Sequence, residues 1–99
     1  MRVIPPESER HFQSRVVAAA RMFGWAVHFT LRSMGSPSGW PDLTLLRPPR
    51  MLVRELKTEQ GRLLPAQKRT IALLAACRVD VGVWRPSDWR RIVAELQEE

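Results

Sequence analysis

Ninety-nine residues accommodate one small domain and leave no room for a second packed core, so residues 1–99 are expected to form a single functional unit. The composition, 44% hydrophobic and 26% charged, is that of an ordinary globular domain and excludes a charge-rich disordered chain. Sixteen Lys and Arg against ten Asp and Glu give a formal charge of +6, which favours a polyanionic partner: nucleic acid first, an acidic membrane surface or acidic protein behind it.

Lys57 and Lys68 are the only lysines, so the positive charge is overwhelmingly guanidinium, whose planar fork suits phosphate oxygens. Cys77 is the sole cysteine, which removes any intrachain disulfide or zinc knuckle and fits a reducing cytoplasm. Met1 to Glu9 lacks the apolar run of a signal peptide, and no stretch approaches the ~20 apolar residues that span a bilayer. A soluble intracellular protein is expected.

In chain order, Ser8 can cap a helix running to about Phe23, with Phe12, Val16, Ala19, Ala20 and Phe23 on one face and Gly24 ending it. Trp25 to Leu31 has the period of a half-buried strand: Trp25, Val27, Phe29 and Leu31 on one side, Ala26, His28 and Thr30 on the other. Residues 33–41, rich in Ser, Gly and Pro, read as a flexible loop. Leu43 to Leu46 and Met51 to Leu56 read as two strands of a hairpin, joined by Arg47-Pro48-Pro49-Arg50, whose prolines cannot extend a ladder. After a polar turn at Gly61, Pro65 opens a helix to about Cys77 with Ile71, Leu74 and Ala75 inward. Val79 to Trp84 forms another strand, and Pro86-Ser87-Asp88 starts a last helix through Leu96. The order α-β-β-β-α-β-α implies an α/β fold, a mixed sheet flanked by helices.

Chemistry concentrates on the hairpin. With its turn centred near Pro48 and Pro49, Asp42 lies opposite Glu55 and on the same face, although a register slip of one residue would change that detail. Glu55 and Lys57 are two apart on one strand, so their side chains also share a face. Opposed carboxylates repel, and a divalent cation between them resolves the conflict. Oxygen ligands select hard ions such as Mg²⁺ or Mn²⁺, which polarise a phosphoryl oxygen while Lys57 positions water or stabilises developing charge. Each fragment also has an ordinary use: Asp after Pro serves turns, and Glu-Leu-Lys suits a solvated edge strand.

Together, Gly39-Trp40-Pro41-Asp42-Leu43, Glu55-Leu56-Lys57 and Gln67 at the start of a helix resemble the signature of VRR-NUC domains in the PD-(D/E)XK nuclease superfamily. Glu9 on the first helix and the strand bearing His28 fit the same pattern. The resemblance implies an αβββαβ restriction-endonuclease-like core and Mg²⁺ or Mn²⁺ dependence. It assigns metal binding to Asp42, Glu55 and the carbonyl of Leu56, with Glu9 supporting the metal shell directly or through water. Lys57 would act on the nucleophilic water, and Gln67 would orient Lys57 or a phosphate. Stand-alone members resemble Holliday-junction resolvases and can work as homodimers, which implies branched DNA as substrate.

Around this set, Arg32, Arg54 and Arg62 are expected as phosphate contacts because they flank the site, and Trp40 as a base-stacking or wedging residue beside Asp42. His28 is a candidate phosphate ligand or proton carrier, with a plain strand position as its bland alternative. His11, Arg90 and Arg91 read as solvated helix decoration, Cys77 as a small core residue, and Glu59 as solvent-facing. The reading that unites these residues is a structure-selective DNA endonuclease. Its rival is a non-catalytic basic DNA-binding module on the same fold, which gains little from setting two carboxylates against phosphate.

Overall fold

The computed structural model describes residues 5–31 and 39–99. The first helix, α1 (Glu9–Met22), begins where Ser8, in extended conformation, accepts a hydrogen bond from the backbone N–H of His11. Phe12, Val16, Val17 and Ala20 form its buried stripe, while Ala19 and Phe23 pack at the margin. Gly24, at φ +87°, turns the chain: its N–H and that of Trp25 donate back to the carbonyls of Arg21 and Ala20. This cap consumes Trp25, so the next strand starts one residue later than the alternation suggested.

That strand, β1 (Ala26–Phe29), pairs antiparallel with β2 (Leu43–Arg47), which pairs antiparallel with β3 (Arg50–Leu56). The hairpin register Leu43↔Arg54 through Arg47↔Arg50 centres the turn on Pro48 and Pro49, as expected. After α2 (Pro65–Ala76), β4 (Val81–Trp84) returns parallel to β3, giving a mixed sheet of order β1-β2-β3-β4. A 3-10 turn over Pro86–Asp88 leads into α3 (Trp89–Gln97).

Side-chain alternation divides β3 between the two faces of the sheet. Leu52 and Leu56 join Leu43, Leu45 and Trp84 in one apolar core with Phe12, Val16 and Ala20 of α1 and Ile92 and Leu96 of α3. Val53 and Glu55 point to the opposite face, which α2 approaches with Gln67 as its single buried residue. Residues 52–56 are therefore buried throughout, as suits a central strand covered on both sides.

Several expectations change. Phe29 and Leu31 are exposed rather than inward: Phe29 ends β1 at the edge of the sheet and Leu31 lies beyond the strand. Ala75 and Cys77 are exposed, Cys77 lying at the end of α2 beyond the sheet. β4 begins at Val81 rather than Val79, since the N–H of Val79 donates to the Leu74 carbonyl and closes α2, with Arg78 in the left-handed conformation at φ 64°. The expected loop at 33–41 falls largely outside the described residues.

Candidate active site

The start of β2 and the end of β3 lie side by side near the N-terminus of α2, and the polar residues of the hairpin collect there. The paired register stops at Leu43↔Arg54, and the next step places Asp42 across from Glu55. Asp42 is held on both sides. Its backbone carbonyl accepts from the N–H of Thr30 at 2.9 Å, and its Oδ2 accepts from the N–H of Leu56 at 2.9 Å. The hydroxyl of Thr30 also donates to the carbonyl of Pro41, which fixes the chain just before Asp42.

Glu55 is fully buried. Its Oε2 lies 3.5 Å from the Lys57 ammonium and accepts a hydrogen bond from Gln67 Nε2 at 3.0 Å. The Gln67 amide cannot turn over without loss, because its Oε1 accepts the N–H of Leu64 at 2.9 Å and so commits Nε2 to the carboxylate. The same bond completes the first turn of α2, where Leu64 offers no capping oxygen of its own.

Gly39 explains how the loop before Asp42 reaches this corner. A Cβ at that position would lie 2.7 Å from the Ala66 carbonyl oxygen and strike the Thr70 hydroxyl, so only glycine lets the chain pack so closely on α2. Trp40 follows it with its side chain about half exposed. Here the glycine permits close approach rather than the flexibility expected of it.

The structure therefore brings together Asp42, Glu55, Leu56, Lys57 and Gln67, with Trp40 adjacent. His28 is exposed and shares a sheet face with Thr44 and Glu55, and Arg62 is exposed in the segment before α2. Arg54 is not brought to the site. It is one residue from Glu55 and so points to the other face, where it is 4% exposed, donates to the Asp80 carboxylate at 2.9 Å and stacks over Trp84. Arg32 lies outside the described residues. Glu9 is exposed at the start of α1, and no group of three or more His, Cys, Asp or Glu able to hold a metal forms among the described residues, so it is not gathered with Asp42 and Glu55.

Sequence reasoning missed Thr30 and Arg85, whose contacts join segments distant in the chain. It also left Glu59 solvent-facing. Glu59 is exposed, yet its carboxylate accepts the N–H of Ser87 at 2.9 Å and the Ser87 hydroxyl.

Asp42 and Glu55 bring two carboxylates to one corner of the sheet, oxygen donors of the kind that hard divalent cations take. An αβββαβ order with a carboxylate pair and a lysine at the end of its central hairpin defines the restriction-endonuclease-like, PD-(D/E)XK class of nucleases. The VRR-NUC domain model matches residues 7–88, and the chain belongs to that family. A solved structure of a VRR_NUC domain protein resembles it with a TM-score of 0.73 at 22% identity, over 94% of this chain and 88% of that one, a likeness of fold. No curated protein matches the chain. Family membership implies a nuclease-type role in DNA processing, and nuclease domains of this family generally use divalent metals. No helix among the described residues is long and apolar enough to cross a membrane.

Proposed function

We propose that the chain is an endonuclease that hydrolyses DNA phosphodiester bonds with Mg²⁺ or Mn²⁺, with branched DNA such as a Holliday junction as its preferred substrate. The observation that carries this reading is the fully buried Glu55 carboxylate, met on one oxygen by both Lys57 and Gln67 and adjoined by Asp42 on the neighbouring strand. Burying a carboxylate is costly unless its charge is balanced, and here Lys57 and Gln67 meet one of its oxygens. Two carboxylates at one corner are the oxygen donors that a hard divalent cation takes.

Asp42, Glu55 and the Leu56 carbonyl would hold that cation. When bound, it neutralises charge on the phosphoryl group and eases deprotonation of the attacking water. The chain supplies the rest. The Lys57 ammonium orients that water and stabilises negative charge developing at phosphorus, while Gln67 fixes the Glu55 carboxylate in one rotamer. Trp40, His28 and Arg62 would meet DNA around the scissile phosphate, and a homodimer would supply the two sites that symmetric cuts across a junction require.

Asp42→Asn is expected to reduce cleavage to under about 1% of wild type while DNA binding stays intact or tightens, because it removes a charge that holds metal and repels phosphate. Lys57→Ala should also cut cleavage to a residual rate of under about 1% of wild type, still readable in single turnover, but keep metal binding. The measurements are gel assays on four-way, forked and linear DNA with Mg²⁺, Mn²⁺ or chelator, gel shifts in Ca²⁺, and metal titration by calorimetry. A wild type without metal-dependent cleavage on any of these, or Asp42→Asn cutting at the wild-type rate, would leave a basic DNA-binding module on the same fold as the function.

A further inference from the structure

Lys57 leaves β3 at the point where its N–H donates to the Trp84 carbonyl at 3.1 Å, and Arg85 is the residue that follows Trp84. From there the chain runs without helix or strand to Pro65. This irregular stretch has a site residue at each end, Lys57 before it and Gln67 just after it, and both converge on Glu55. An unsupported connection would let the Lys57 stem drift.

Arg85 supplies the support. Its Nη1 donates to the carbonyls of Thr58 and Gly61, each at 2.6 Å, short bonds of the charge-assisted kind. A second strap runs the other way: the Glu59 carboxylate accepts the N–H and hydroxyl of Ser87. Arg85 is itself anchored, since its N–H donates to Asp88 Oδ2 at 2.8 Å. The 58–61 turn is thus tied twice to the turn that follows β4.

We propose that Arg85 is a positioning residue for Lys57, holding the turn after β3 so that the ammonium stays aligned on Glu55; this rests on the nuclease reading of the site. Arg85 acts through the backbone that follows Lys57, by its bonds to the Thr58 and Gly61 carbonyls. A displacement of about 1 Å in a group that orders water or phosphate is enough to cost a large part of the rate.

The test combines a mutant cycle with NMR. Arg85→Ala is expected to lower kcat for metal-dependent DNA cleavage by about tenfold or more with KM and Ca²⁺-supported DNA binding little changed. Arg85→Lys, which keeps a cation able to reach the same carbonyls, should recover much of that loss. In a Lys57→Ala background the further change to Arg85→Ala should cost nothing more, because its effect passes through the missing lysine. ¹⁵N relaxation should show residues 57–64 gaining mobility in Arg85→Ala while the amides of β2 and β3 keep wild-type order. Arg85→Ala cutting at the wild-type rate, or losses that multiply in the double variant, would overturn the positioning role and leave the nuclease reading standing. If wild type cleaves nothing, that reading fails by itself and the relaxation data decide the clamp: unchanged order at 57–64 overturns it, and loosening confined to that segment upholds it.

Discussion

Glu7 shows how much one residue outside any helix or strand can do. Its carboxylate receives two hydrogen bonds from the Arg15 guanidinium at 2.8 Å and lies 2.7 Å from His11 Nδ1, while Arg15 stacks over Trp89 of α3. The hydrogen bonds from Arg15, helped by its charge and by His11, hold the Glu7 carboxyl below the ordinary carboxylate range, although burial works the other way. Because the folded value lies below the unfolded one, the stabilisation is complete above the unfolded pKa and is lost as pH falls through the folded one. Glu7→Gln should cost no more than about 1 kcal/mol at neutral pH, since the pair is partly exposed. Between about pH 5 and pH 3 the wild type should lose more stability than the variant, a difference readable from urea midpoints at each pH. Equal slopes would mean the pair forms no stronger bond in the fold than in the unfolded chain.

At the scale of elements, the helices are ended and joined by backbone and arginine contacts. α1 and α2 close with the same pair of reversed hydrogen bonds, made around Gly24 in one and Arg78 in the other. The C-terminus of α3 is gripped by arginines of the hairpin turn: Arg47 donates to the Leu96 carbonyl at 2.8 Å and Arg50 to that of Glu95 at 2.9 Å. Cations there complement the helix dipole and satisfy carbonyls left without helical partners. The opposite end of the hairpin depends on contact with α2 through Gly39. Gly39→Ala should destabilise the fold by about 1–3 kcal/mol, since the new methyl meets backbone that cannot yield easily. It should also slow cleavage by carrying Trp40 and Asp42 away from α2. Chemical denaturation and a cleavage assay on the same variant check both, and wild-type behaviour in both would mean the loop relaxes freely.

Across the described residues, the cations fall into those committed within the fold and those left exposed. Arg15, Arg47, Arg50, Arg54 and Arg85 are committed to carboxylates, carbonyls or tryptophan faces. The exposed ones include Arg62, Lys68 and Arg69, in the segment leading to α2 or on its first turns. Net charge alone does not distinguish these groups, yet only the second can release counterions on meeting DNA. DNA binding should weaken steeply with salt, and Arg62→Ala should reduce the magnitude of the log–log salt slope by about 1, whereas Arg54→Met should leave the slope unchanged. Fluorescence anisotropy across a KCl series measures both. A slope altered by Arg54→Met without loss of folding would mean that its buried position does not keep it from phosphate.

Local patterns along the chain were enough to determine the element order and, to within one residue, the hairpin register that brings Asp42, Glu55 and Lys57 to one end. Each depends on a short-range rule: a Ser cap, a period of 3.6 or 2, or alternation about a proline turn. The face of Arg54 was legible by the same rule, since a residue next to Glu55 on a strand must point away from it. Other features required the folded molecule. The exposure of Phe29 follows from the position of β1 at the sheet edge, and the closeness of Gly39 to Ala66 from how α2 packs. The clamp joins Arg85 to Thr58, 27 residues away. Such contacts depend on packing between segments that carry no shared periodicity, so tertiary structure alone decided them.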